Sequence, residues 1–217
     1  MMLIASYLPS CSVASKICIM QNDAIHPVKS LMAIQAGYPF RGTVPKVADG
    51  NALALQIRDL LPDGRIAWAQ LVRTQVSRAD DSQWLQGGDV VFVARGAKNY
   101  AVYLEDVPVS AVCSQYFYVL RSRSDRLLPA FLAWQINQAP IQRYLSTNAE
   151  GSDQLSIRRT VLENIPITVP PIDRQRLFVA LIETAASEKK KLEALIANRQ
   201  QQLEAFAIEF AKLPKST

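Results

Sequence analysis

Along residues 28–119 the apolar positions come in short bursts, broken by Gly37, Gly42, Pro45, Gly50, Pro62, Gly64, Gly87, Gly88 and Gly96. Bursts of that length between turn residues predict the strands of a compact sheet or barrel. Candidate strands are residues 52–57, 66–71, 89–94, 100–104 and 115–120, with Asp63-Gly64 as a hairpin turn. The period then changes. In PAFLAWQINQAPIQRYL, which begins at Pro129, Phe131, Leu132, Gln135 and Ile136 recur at helical spacing, and Pro129 suits a first helical turn. Pro140 is expected to bend or divide that helix, because it has no N–H and its ring collides with the preceding turn. A short helix at residues 158–164 and a β-branched strand beginning at Ile165 complete this part of the chain.

Beyond Pro170-Pro171 the chain runs from Asp173 to Leu213 with neither proline nor glycine. Leu181, Ala185, Leu192, Leu195, Leu203, Phe206, Phe210 and Leu213 fall mostly three or four residues apart, and Glu188 and Arg199 occupy polar slots in the same register. This is the pattern of a coiled-coil seam. The successive steps of four from Leu195 through Arg199 to Leu203 relax the left-handed supercoil locally, as a stutter does. Asp173 is placed to act as N-cap, directly after prolines that forbid an earlier start. Forty helical residues extend about 60 Å, whereas a domain of about 145 residues has a radius of roughly 15–16 Å. The apolar stripe therefore calls for a helix from another chain. A helix folded back over its own domain is the alternative.

These patterns predict an α+β protein: a β-rich domain with short helices over residues 28–172, followed by a long coiled-coil helix over 173–213. Residues 1–27 are left as an N-terminal extension. Their apolar start, MMLIASYLPSCSVASKICIM, has no basic residue before the apolar run, is interrupted by Pro9 and several serines, and is too short to span a bilayer. No membrane association is expected. Cys11, Cys18 and Cys113 are an odd number without Cys-x-x-Cys spacing, which fits a reducing cytoplasm.

The net charge of +5 permits an acidic partner such as nucleic acid. Residues 28–172 carry 15 Lys+Arg against 12 Asp+Glu, and residues 173–217 carry 8 against 6. Neither part is a polycation, so any nucleic-acid surface must be a local patch.

Catalytic constellations are sparse. A single histidine, His26, stands against Ser-His and Cys-His nucleophile systems and against a zinc site. The sequence has no phosphate-binding Gly-x-x-x-x-Gly-Lys-Ser/Thr loop and no Gly-x-Gly-x-x-Gly after a strand. No cofactor and no metal are expected. Asp80-Asp81 and Glu105-Asp106 read as solvated loop acids, and Glu188-Lys189-Lys190 as an exposed helix face.

The informative polar residues lie in the β-rich part: Arg41 after Tyr38 and Phe40, Lys46, Arg65, and the run Ala94-Arg95-Gly96-Ala97-Lys98-Asn99-Tyr100. Arginine pairs with guanine and asparagine with adenine in the major groove, while lysine and backbone N–H groups hold phosphates. Gly96 would let the loop approach a duplex closely. An ordinary charged surface turn is the other reading of the same run.

Four segments in order carry a resemblance: Ile34-Gln35-Ala36-Gly37-Tyr38-Pro39-Phe40, then Gly88-Asp89-Val90-Val91-Phe92-Val93-Ala94-Arg95-Gly96, then Gly151-Ser152, then Ile165-Pro166-Ile167-Thr168-Val169-Pro170-Pro171-Ile172-Asp173-Arg174-Gln175. Together they resemble the specificity subunit of type I restriction-modification systems, in a half-length form. The family's usual Pro-Leu-Pro-Pro-Leu-x-Glu-Gln stands here as Thr-Val-Pro-Pro-Ile-Asp-Arg-Gln, which changes the local charge at Arg174 but keeps the helix start.

The resemblance implies a target recognition domain that reads double-stranded DNA, followed by a spacer helix. Complete subunits of that family carry this arrangement twice, with the two helices packed antiparallel. This chain carries it once, so the resemblance implies a homodimer joined through Leu181, Ala185, Leu192, Leu195, Leu203, Phe206 and Phe210, reading an interrupted palindrome. Methyl transfer would belong to DNA methyltransferase subunits, and a restriction or translocase subunit is a further partner the resemblance allows. No Asn/Asp-Pro-Pro-Tyr/Phe motif is present here.

The expected DNA-facing residues are Arg95, Lys98, Asn99 and Tyr100 as one loop, Arg41 and Lys46 as a second, and Arg65, with Ser152 and Arg158 positioning phosphate at the start of a helix. The rival from another class is a coiled-coil protein-interaction adaptor, or a specificity-subunit relic that no longer reads DNA. The small charge excess of residues 28–172 favours it.

Overall fold

Val90-Val91-Phe92-Val93 is buried at all four positions, as expected of a strand covered on both faces. The computed structural model describes residues 24–61, 64–77, 80–151 and 154–211. In chain order the strands are β1 (Ala24–Pro27), β2 (Met32–Ala36), β3 (Ala52–Leu55), β4 (Val72–Thr74), β5 (Val90–Val93), β6 (Arg95–Gly96), β7 (Ala101–Tyr103), β8 (Ala111–Cys113), β9 (Phe117–Ser122), β10 (Leu155–Ser156) and β11 (Pro166–Val169). The α-helices are α1 (Pro129–Ile136), α2 (Ala139–Asn148), α3 (Arg159–Glu163) and α4 (Ile172–Ala211). The chain divides into two units, one ending at Pro171 and the other beginning at Ile172.

In the first unit, four strands form an antiparallel sheet in the order β2-β9-β5-β7. Three others are ordered β4-β3-β8, with β3 antiparallel to β4 and parallel to β8. Side-chain alternation divides the core between them. Val91, Val93, Val102 and Val119 from the first sheet pack with Leu55, Ala111 and Cys113 from the second. The intervening residues Ala52, Ala54 and Val112 face the other way, against Phe40 and Val76. Fully burying one Val, Leu or Phe stabilises by about 1.5–3 kcal/mol, so a one-residue slip of β3 would exchange Leu55 for alanine on the main core face.

Helix α1 covers β5 and β7 and supplies two side-chain amides that close sheet edges. Asn137, just past its end, accepts from the Ala101 N–H at 2.9 Å and donates to the Ala101 carbonyl at 2.8 Å. Gln135 donates to the Thr168 carbonyl at 2.7 Å and accepts from the Thr168 N–H at 3.1 Å. Each amide thus stands in for a neighbouring strand, satisfying edge groups that burial would otherwise leave unpaired. Pro140 does divide the helical segment: it sits in the first turn of α2, where a missing N–H costs nothing.

Several expectations are corrected. Residues 66–71 do not form a strand. Ile66 makes one antiparallel bridge to Leu60, Trp68–Gln70 is a 3₁₀ turn, and the strand comes later, at Val72–Thr74. The turn expected at Asp63-Gly64 is closed by that bridge together with the Leu61 N–H donating to the Arg65 carbonyl at 2.8 Å and the Gly64 N–H to the Leu61 carbonyl at 2.9 Å; Gly64 has φ of +81°, and Asp63 lies outside the described residues. Ala24–Pro27, read as extension, pairs antiparallel with Pro166–Val169 in register from Ala24↔Val169 to Pro27↔Pro166. The second unit is the single helix α4, which starts one residue earlier than expected. Asp173 therefore lies inside the first turn, where a carboxylate is favoured by the helix dipole, and accepts from Arg176 Nη1 at 2.9 Å.

Candidate nucleic-acid interface

Strand β6 is only two residues long, yet it anchors most of the expected site. Leu155 and Ser156 of β10 pair with Gly96 and Arg95, and the Ile157 N–H donates to the Ala94 carbonyl at 2.8 Å. Glu150 extends the ribbon by exchanging both backbone hydrogen bonds with Ser156, at 2.8 and 3.0 Å. On the other side, the N–H groups of Ala94 and Arg95 both donate to the Tyr116 carbonyl, at 2.8 and 3.2 Å. Alternation then turns Gly96 inward and Arg95 outward. A Cβ at Gly96 would lie 3.4 Å from Val93 Cγ1 and 3.6 Å from Ile57 Cδ1, ordinary contact distances that show this position packed against its own domain.

The loop after β6 is tied at its base. Asn99 is buried, and its Nδ2 donates to the Val93 carbonyl at 2.9 Å. The Val93 N–H donates to the Tyr100 carbonyl at 2.9 Å. The amide of Asn99 is therefore committed to holding the loop, while Arg95 and Lys98 are exposed. Tyr100 is half-buried, and that desolvation raises its hydroxyl pKa above the ordinary value.

Arg158 precedes α3 and forms a surface pair with Glu150, Nε to Oε2 at 2.9 Å and Nη2 to Oε1 at 2.7 Å. Two exposed groups so paired contribute little stability in water, and the pair holds Arg158 beside the β6–β10 ribbon. Ser152 lies outside the described residues.

Two clefts flank the ribbon, since consecutive residues of one segment line different clefts: Leu155 the first and Gln154 the second. The first, about 760 Å³, brings Lys98, Asn99 and Tyr100 together with Gly64 from the turn that bears Arg65, and with Gln142 and Ser146 of α2. Arg65 is exposed on that turn. The second, about 480 Å³, lies between Phe40–Val44, which includes exposed Arg41, and the turns Gln56–Arg58 and Ser114–Tyr116. Lys46 is exposed but joins a different neighbourhood: the N–H of the adjacent Val47 donates to the Arg73 carbonyl of β4 at 3.0 Å.

Sequence reading passed over Arg58, Gln115 and Gln154. Arg58 is 68% exposed beside buried Asp59, with Nε 3.9 Å from Oδ1. Burial is the main cause that raises the Asp59 carboxyl pKa, opposed by its bond from the Gln56 N–H and by Arg58. The one legible signal was Gln56-x-x-Asp59, the spacing of a capping box, which these two residues do form.

Along α4, the described residues expected in the seam are all exposed: Leu181, Ala185, Leu192, Leu195, Leu203, Phe206 and Phe210; Leu213 lies outside the described residues. Leu177, Ile196 and Ile208, not assigned to the seam from sequence, are exposed as well. Leu177 continues the stripe one step of four towards the start of the helix.

Chemically, the first unit presents outward-pointing cations on a two-stranded ribbon between two clefts whose lining includes amides and hydroxyls, which suits contact with a polyanion that also displays hydrogen-bonding edges. Among the described residues no cluster of His, Cys, Asp and Glu could hold a metal ion, and no helix is long and apolar enough to cross a membrane.

A family model described as "Type I restriction modification DNA specificity domain" matches residues 73–205. The fold is similar to the crystal structure of a type I restriction-modification system S subunit from M. genitalium, at 14% identity and a TM-score of 0.56, covering 88% of this chain and 46% of that one. The HsdS subunit from Thermoanaerobacter tengcongensis matches at 16% identity and 0.54, covering 77% and 39%. A chain from a structure titled for complex assembly and conformational transition of the type I R-M system matches at 16% identity and 0.62, covering 90% and 47%. This chain therefore spans less than half the length of each of these structures. No curated protein matches the sequence.

Proposed function

Because the chain belongs to the type I restriction modification DNA specificity family, we propose that its first unit is a target recognition domain that reads double-stranded DNA and that α4 joins two copies. The observation that carries the reading is the β6–β10 ribbon, with Arg95 turned outward and Lys98 and Arg158 beside it. A two-stranded ribbon fits the major groove of B-DNA, and cations on and beside it supply phosphate contacts that set register. Asn99, with its amide bonded to Val93, holds the loop rather than a base. Tyr100 lines the first cleft, Arg65 and Arg41 are exposed on segments whose neighbours line the first and the second, and in this reading Ser152 and Arg158 position phosphate.

The homodimer is supported by the exposed apolar stripe of α4. Large apolar side chains at 54–71% exposure along one helix are costly in water and are relieved by knobs-into-holes packing with a second helix. Two-fold pairing would set two recognition domains on an interrupted palindrome, with the helices fixing the half-site spacing. The chain supplies recognition in this reading, and methyl transfer comes from DNA methyltransferase subunits.

The test is selection from a random-core duplex pool by the chain together with its methyltransferase subunit, followed by sequencing. Two inverted half-sites at fixed spacing are expected. An unenriched pool would point instead to a protein-interaction adaptor. A single half-site would remove the dimer while leaving the reader.

A further inference from the structure

We propose that the second cleft is the base-selecting part of this surface, and that the glutamine amides lining it choose an adenine-containing step of the duplex. The inference rests on the DNA-reading function proposed above. Three glutamines enter the cleft from segments far apart in sequence: Gln56 after β3, Gln115 before β9 and Gln154 before β10. Arg58 lines it as well, a cation suited to phosphate, and among the described residues none that lines the cleft is a carboxylate. A primary amide offers an N–H donor beside a carbonyl acceptor, the complement of the N7 acceptor and N6 donor that adenine shows in the major groove.

The amides are differently placed for this task. Gln56 is held in the capping box by its side-chain oxygen, which accepts from the backbone N–H of Asp59, and its buried Nε2 has no hydrogen-bond partner. Ser114, 2% exposed and also lining the cleft, has a buried Oγ without a partner. Buried donors left unpaired are costly and uncommon, and these two lie in the cleft wall, shut off from solvent, so the contact with a guest falls to the more accessible amides. Gln115 is half-buried and Gln154 exposed, so these two reach the duplex first. Gln154 leads directly into β10, which sets the cleft against the ribbon that bears Arg95.

The test compares the wild-type chain with a Gln115→Ala, Gln154→Ala double variant, each with its methyltransferase subunit, on the random-core duplex pool. Each adenine of the selected motif is then replaced in turn by 7-deazaadenine, which lacks N7. For the wild type, one such replacement is expected to weaken binding about tenfold. In the double variant, selectivity at that base pair is lost and the same replacement has no further effect, while the salt dependence is unchanged. Gln115→Glu nearly preserves shape but cannot donate to the guest; it should lose the same preference, and it serves if the double variant fails to fold. A folded variant with the wild-type motif and the wild-type 7-deaza penalty overturns the proposal, as does a wild-type motif without adenine; in both cases DNA reading stands. A wild-type chain that enriches no motif overturns DNA reading itself.

Discussion

Arg121 grips Asp89 through two bonds, Nε to Oδ1 at 2.7 Å and Nη2 to Oδ2 at 2.7 Å, and the same Nη2 donates to the Trp84 carbonyl at 2.8 Å. Asp89 is 1% exposed and also accepts from the Gln86 N–H at 2.9 Å. Its hydrogen bonds to Arg121 are the largest cause of that guanidinium's raised pKa. The pair fixes the start of β5 against β9, and hence the frame from which the Arg95 ribbon emerges.

Removing one partner leaves the other charged and poorly solvated. Asp89→Ala and Arg121→Ala are each expected to lower unfolding stability by about 3–5 kcal/mol in urea melts. Arg123→Ala, at an exposed neighbour, should change it by less than about 0.5 kcal/mol.

Gly37 and Gly42 separate space from backbone conformation. A Cβ at Gly37 would fall 2.1 Å from the Ser114 carbonyl oxygen, whereas Gly42 has φ of +74° and open space around it. Gly42→Ala should cost about 1–2 kcal/mol, the penalty for an L-residue in the left-handed region. Gly37→Ala should cost more, because the backbone of β2 or of Ser114 must move, and its thermal melt should lie below that of Gly42→Ala.

Burial pushes the Cys113 thiol from its ordinary value of 9.0 up to about 12. The folded state therefore holds its proton where the unfolded chain has lost it. This contribution to stability is fully present below pH 9 and is lost as pH rises towards 12. In a chain with Cys11→Ser and Cys18→Ser, the remaining thiol should resist a thiol reagent at pH 8 until denaturant is added. Rapid labelling of the native protein would contradict its burial.

Arg95→Ala with Lys98→Ala should weaken DNA binding and reduce the slope of log K against log salt by one to two contacts' worth, about 0.9 per phosphate. An unchanged slope in a variant with a normal melt would remove these two residues from the interface.

Leu195→Asp with Leu203→Asp places charges in the centre of the α4 stripe and should yield monomers in sedimentation. The first unit should keep its melting transition, since neither residue belongs to it. Dimers that persist would place the contact elsewhere.

The helical parts were legible in advance because their causes are local. The run without proline or glycine and the three-and-four spacing from Leu181 to Phe210 describe α4 within a residue or two, and Pro140 marks the break between α1 and α2. The β-rich part was less legible. Ala111–Cys113 is three residues long and is a strand by virtue of pairing with Leu53–Leu55 in parallel. Ala24–Pro27 is one because its partner lies some 140 residues onward. Asn99 carried the chemistry of a base reader, but packing turned it inward to Val93.

By itself, then, the order of residues determined what depends on near neighbours: helix periods, proline stops, glycine turns and the four family segments. Only the tertiary structure decided which short strands pair, which polar side chains are committed to holding loops, and that Gln56, Gln115 and Gln154 share one cleft. The physical reason is that a strand and a binding site are both completed by atoms distant in sequence, so their partners exist only once the chain has folded.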